Sequence, residues 1–203
     1  MKTAPGKRGP KPKPDTRANL VEAGLRIIHS AGYAATGIQS IVDAAGIPKG
    51  SFYTYFDSKE AFGAEVIAEY SKRGQGKLRH FLCDSEKTPL TRLKAFFEDR
   101  IEAFGTANYA RGCLMGNFSA EAADHSVQIR EQLVKEFKAW SQIFESCISE
   151  AQGQGEISRQ FSAGLLANFI FNSWEGALLR MRVENSAAPL REFMKLVFEK
   201  VIQ

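Results

Sequence analysis

At 203 residues, 44% hydrophobic and 25% charged, the chain can bury a core without metal or disulfide staples and has the balance of a soluble globular protein. No apolar run approaches the ~20 residues that a membrane helix needs, so no membrane partner is expected. The opening is basic without the apolar segment of a signal peptide, which argues against export and makes the cytoplasm the expected location. The net charge of +4 is local: residues 1–17 hold six Lys/Arg against one Asp, a net +5 that leaves −1 for the remainder, as a nucleic-acid-contacting arm requires.

Four of the seven prolines (Pro5, Pro10, Pro12 and Pro14) alternate with Lys7, Arg8, Lys11 and Lys13. Residues 1–14 are therefore predicted to be a disordered, extended arm that follows phosphates or enters the adjacent minor groove. A tail serving only solubility is the plainer alternative. Asp15 or Thr16 can cap a first helix running through Ser30, with Leu20, Leu25, Ile27, Ile28 and Ala31 as apolar positions and Gly32 ending it.

From Thr36 to Lys59 the chain reads TGIQSIVDAAGIPKGSFYTYFDSK. Ile38, Ile41, Val42 and Ala45 recur at offsets of three and four and share one buried face. Gly46 permits a positive φ at the break, Pro48 suits the start of the next helix, and Phe52 with Phe56 buries that helix in turn. This is a helix-turn-helix pattern. Lys49, Gly50, Ser51, Tyr53, Thr54 and Tyr55, followed by Lys59, remain outward. Short hydrogen-bonding groups, a backbone bared by glycine and phenols flanked by lysines suit base edges and phosphates.

The same run closely resembles the DNA-binding domain of the TetR family of bacterial transcriptional regulators, at Thr36, Ile41, Ala44, Ala45, Gly46, Ile47, Lys49, Gly50, Ser51, Phe52, Tyr53, Tyr55, Phe56, Lys59 and Glu60. Val42 stands where the family often has alanine, and Pro48 where serine or threonine often caps the helix. The resemblance is specific over the first third and extends to the rest only in length and helical pattern. By side-chain chemistry Lys49, Gly50, Ser51 and Thr54 should approach bases, and Tyr53 a base methyl group or a phosphate. Thr36, Tyr55 and Lys59 are better placed for phosphates, as similar positions are in the family; Tyr53 or Tyr55 is alternatively part of the core.

Asp57 or Ser58 should cap a long fourth helix running to about Cys83, able to link a reading head to the rest; in the resembling family that link moves when an effector binds. Thr88-Pro89 opens another helix ending near Gly105. The glycine-punctuated turn Arg111 to Phe118 leads into the next, a long run spans about His125 to Gln152, and two last helices span about Ser162 to Val183 and Pro189 to Ile202. The last two have broad apolar faces, with Ser173, Gly176 and Ala177 permitting close approach. The resembling family pairs its last two long helices across a two-fold axis; ordinary intrachain core is the alternative, and part of each face must serve it. A homodimer is the expectation, because a single helix-turn-helix reads too few base pairs for useful specificity.

Phe96, Phe97, Phe104, Phe118, Trp140, Phe144, Phe171 and Trp174 are many aromatics for one helical domain, and some should surround an apolar site for a small effector, the rest being core. Cys113 sits between Arg111 and a helix start, where a cation and a helix N-terminus favour thiolate. Arg-Gly-Cys-Leu-Met-Gly-Asn also resembles a branch of the TetR family that responds to electrophiles or oxidants through such a cysteine; a buried, inert cysteine is the alternative. Cys83 and Cys147 fit packing positions. The three cysteines show no metal-ligand spacing, His29, His80 and His125 stand apart, and no phosphate loop or nucleophile elbow is present, so no metal, cofactor or enzymatic activity is expected.

The expected architecture is all-α: a basic arm over 1–14, a three-helix DNA-binding head over 15–60 and a larger effector-binding and dimerisation domain over 61–203. As a homodimer it should grip a near-palindromic double-stranded operator with recognition helices roughly 34 to 36 Å apart, and effector binding should favour wrongly spaced heads. The competing class is a helical small-molecule-binding or catalytic protein whose basic arm aids solubility.

Overall fold

A computed structural model describes residues 14–203, and these are helical with no strand among them. The arm over 1–14 lies outside the described residues except for Pro14, which opens the first helix rather than closing the arm. The helices are α1 (Pro14–Ala31), α2 (Ile38–Ala45), α3 (Lys49–Tyr55), α4 (Lys59–Leu82), α5 (Pro89–Thr106), α6 (Leu114–Ala122), α7 (Val127–Gly153), α8 (Ala163–Glu184) and α9 (Ala188–Leu196). The last predicted helix does not stay regular to its end: after Leu196 it widens into a π-helical turn, Val197–Val201.

Local chemistry sets the boundaries. Ser58, Ser126 and Ser162 cap α4, α7 and α8, each hydroxyl accepting from the backbone N–H three residues on. Gly46, at φ 67°, turns the chain after α2, and the N–H of Ile47 reaches back to the Val42 carbonyl at 3.0 Å.

In the head, α1, α2 and α3 pack with the first half of α4. Phe52, Phe56 and Phe62 meet ring to ring at 4.9–5.4 Å beneath Leu20, Ile28, Ile41 and Val42. α1 and α4 come so close that a Cβ at Gly24 would stand 2.4 Å from the Phe62 ring. In the body, α4 packs on α7, and α7 on α8. Phe97 fills its centre, stacked on Phe144 at 5.7 Å and against Trp174 and Phe193 at 4.9 and 5.0 Å.

The broad apolar face predicted for α8 divides in two. Leu166, Ile170, Trp174, Leu178 and Met181 are intrachain core. Leu165, Phe169, Asn172, Gly176, Leu179 and Val183, spaced alternately four and three apart, form a separate exposed seam. A Cβ at Gly176 would meet nothing within 4 Å, so packing inside this chain does not account for that glycine.

Candidate DNA-binding helix and effector cavity

α3 is anchored by its buried face and presents the other. Phe52 lies beneath it, while Lys49, Gly50 and Thr54 are exposed and Tyr53 is 57% exposed; Ser51 and Tyr55 are half-buried. A Cβ at Gly50 would touch nothing, so the glycine leaves a bare strip of backbone facing outward for no packing reason. Small, phenolic and cationic groups thus share one accessible surface, the geometry that a major groove admits.

Two residues expected at phosphates are occupied otherwise. Thr36 is 2% exposed and its hydroxyl donates to the Gly32 carbonyl at 2.6 Å, closing the turn after α1. Lys59 is half-buried: its Nζ donates to the Tyr33 carbonyl at 2.8 Å and stands 4.3 Å over the Tyr33 ring. Burial lowers its pKa, opposed by Glu60 and Glu121. Lys59 holds the α1–α2 turn against α4 and keeps two further donors on its ammonium, whereas the single Thr36 proton is used inside the turn.

Of the eight predicted pocket aromatics, six line a partly open cavity of about 290 Å³ between α4, α5, α7 and α8: Phe96, Phe104, Trp140, Phe144, Phe171 and Trp174. Phe97 is wholly buried behind them, and Phe118 packs at 4.9 Å on Tyr33 where head meets body. Both are core because their neighbours close over them from every side. Trp140 lies over Gly74 of α4, where a Cβ would stand 2.1 Å from its ring, and its Nε1 donates to Ser71 Oγ at 2.9 Å. Ser71 in turn donates to the buried carboxylate of Glu136 at 2.7 Å, which also accepts from Gln75 and Gln132.

Cys113, 7% exposed, borders this cavity and also an open cleft of about 790 Å³ between α6, α7 and α8. It does not have the expected thiolate character. Burial pushes the thiol well above its ordinary pKa, and the Glu175 carboxyl beside it adds to the rise; the N–H groups of Gly116 and Met115 oppose this without prevailing. Arg111 acts instead on His29. Glu175 is itself pushed up to about 7 by burial. The Tyr70 hydroxyl, also raised by burial, completes a Tyr70–Cys113–Glu175 cluster joining α4, α6 and α8.

Tyr70 and Glu175 were not singled out from sequence. A signal existed for Glu175, the lone charge between Ala163 and Leu179. Tyr70 carries none, because its significance depends on a residue 43 positions away.

Residues 20–66 match the family profile described as bacterial regulatory proteins, tetR family. Residues 89–197, more than half of the chain, match the Tetracyclin repressor-like C-terminal domain. The chain belongs to the TetR family of bacterial transcriptional regulators. Among TetR-family relatives, it is 40% identical over 186 residues to the HTH-type transcriptional repressor DhaR of Mycobacterium sp. (strain GP1), covering 92% of each chain. A regulatory protein TetR from Rhodobacter sphaeroides superposes with a TM-score of 0.85 at 32% identity, over 93% of this chain and 100% of that one. Reduced NemR of Escherichia coli superposes with a TM-score of 0.85 at 26% identity, over 93% and 96%. As in that family, a DNA-binding helix-turn-helix precedes a helical ligand-binding domain.

Proposed function

We propose that this chain is a homodimeric repressor that holds a near-palindromic operator and releases it when a small, largely apolar or aromatic compound, or a thiol-reactive one, enters the cavity beside Cys113. The observation that carries the reading is the arrangement of α4: its first turn supports the recognition helix, and Tyr70 and Gly74, further along the same helix, border the aromatic cavity. One element thus bears on both sites, as a two-state regulator requires.

Lys49, Gly50, Ser51 and Thr54 would meet base edges, Tyr53 a base methyl group or phosphate, and Tyr55 the backbone. The exposed α8 seam, with the α8–α9 groove lined by Phe169, Ser173, Ala177 and Leu196, supports pairing through these two helices. DhaR and NemR are named repressors, which favours repression. A regulator of this kind works in the cytoplasm and is not an enzyme.

Fluorescence anisotropy on a duplex enriched from a random pool by the protein tests the reading. Tight, salt-sensitive binding that prolonged N-ethylmaleimide treatment weakens in a Cys83→Ser/Cys147→Ser variant, slowly because the buried thiol is held protonated, but not once Cys113→Ser is added, is expected. No binding to any duplex at low ionic strength contradicts it.

A further inference from the structure

Besides the continuous helix α4 and the Tyr33–Phe118 ring contact, the head is hydrogen-bonded to the body at the two ends of α6. At the far end, the Glu121 carboxylate accepts from the N–H of Ala34 at 2.8 Å, in the turn between α1 and α2. At the near end, His29 of α1 donates from Nε2 to the carbonyl of Gly112 at 2.8 Å. Gly112 is the residue immediately before Cys113. The His29 ring also stands edge-on to Tyr70 at 5.7 Å. A side chain of the DNA-binding head therefore touches the cavity wall twice, through Tyr70 directly and through the peptide adjoining Cys113.

We propose that His29 is a coupling residue: its hydrogen bond to Gly112 is kept when the cavity is empty and broken when Cys113 is displaced, so the head is released by a route separate from α4. This rests on the reading of the cavity as the effector site.

The Gly112 carbonyl lies in the same planar peptide as the Cys113 Cα, so a backbone shift at Cys113 is passed to it. A bond at 2.8 Å is lost once its heavy atoms part by somewhat less than about 1 Å. Gly112 is confined on its other side by Arg182 of α8, whose Cδ stands 2.9 Å from where a Cβ would be, and Arg182 also donates to Asn117 Oδ1 at 2.8 Å. With Glu121 fixing the far end of α6 to the head, movement at Cys113 tilts α6 about a point on the head itself. His29 is suited to the role by its surroundings: burial, with Arg111 and Arg182 nearby, disfavours the imidazolium. Its N–H is then directed to one acceptor, and loss of that acceptor leaves a half-buried donor unpaired.

A double-mutant cycle on the full-length protein tests the coupling, with anisotropy on the enriched duplex as the readout. Cys113→Phe places bulk where an adduct would stand and should lower DNA affinity about tenfold or more when His29 is present. In a His29→Ala background the same substitution should change affinity by at least about threefold less, only the α4 route remaining. His29→Gln, which keeps a donor, should restore part of the response. Thermal unfolding is followed on each variant, and Cys113→Leu replaces Cys113→Phe if the latter does not fold. A merely structural His29 would lower the unfolding temperature and leave the response ratio unchanged, which overturns the proposal while the cavity reading stands. If Cys113→Phe and Cys113→Leu both fold and leave affinity untouched with His29 present, the cavity reading fails and the coupling with it.

Discussion

The two halves of the molecule use polar side chains in opposite ways. In the head, the groups proposed to act, Lys49, Tyr53 and Thr54, face outward from a small apolar core and contribute little to holding it together. In the body, the distinctive polar groups, Tyr70, Cys113, Glu136 and Glu175, are turned inward, where each raises or lowers the stability of the surface it sits in. The head therefore states its function by what its core leaves exposed. The body states its function by what it buries at a cost, and such sites are the ones a ligand can most easily re-balance.

Substitutions can break this contrast or sharpen it. The largest effect belongs beneath the head: Phe52→Ala should cost about 3–5 kcal/mol in urea unfolding, because Phe52 is fully buried against Phe56 and Phe62, and DNA binding should disappear with the fold. Glu175 gives the clearest test of the body. With its carboxyl raised from 4.5 to about 7, the folded state binds a proton that the unfolded state has lost, so the stabilisation is complete below about 4.5 and is lost as pH rises through about 7. Glu175→Gln should accordingly gain on the wild type by on the order of 2–3 kcal/mol between pH 5 and pH 8. Parallel stability–pH curves for the two proteins would show that Glu175 is not buried in this way.

A smaller loss is expected at Glu136→Ala, about 1–3 kcal/mol, since Ser71, Gln75 and Gln132 each lose an acceptor. The smallest change in stability belongs to the outward residues. Lys49→Ala and Thr54→Ala should alter unfolding by less than about 0.5 kcal/mol. Lys49→Ala should still change sequence preference, and should reduce the salt slope by about one if it also meets a phosphate. A large stability loss there would erase the distinction between the two halves.

The same contrast decides what can be read from the chain without its structure. Burial of Phe52 and Phe56, the Gly46 turn and the Ser58 cap follow from local spacing, and the helix ends fall close to where the residues place them. What escapes is the long-range partner. That Lys59 also ties the α1–α2 turn to α4 depends on the Tyr33 carbonyl, 26 residues earlier, which no local spacing reveals. Cys113 looks activated by Arg111 because the two are only two residues apart, whereas its environment is set by Tyr70 and Glu175 from other helices. The broad apolar face of α8 had to serve both core and pairing, and only packing tells which row does which. Among the aromatics, composition indicated a cavity; which six of the eight border it depends on how the helices cross.

Hydroxyl-radical footprinting on the enriched duplex tests the central claim most directly, with the wild type beside a Lys49→Ala/Tyr53→Ala variant. Two protected patches centred about one helical turn or a multiple of it apart, on one face of the DNA, and both lost in the variant while its fold persists, are the predicted result. Protection unchanged by that double substitution, or an unbroken stretch without two-fold spacing, would contradict the claim that the outward face of α3 reads the operator.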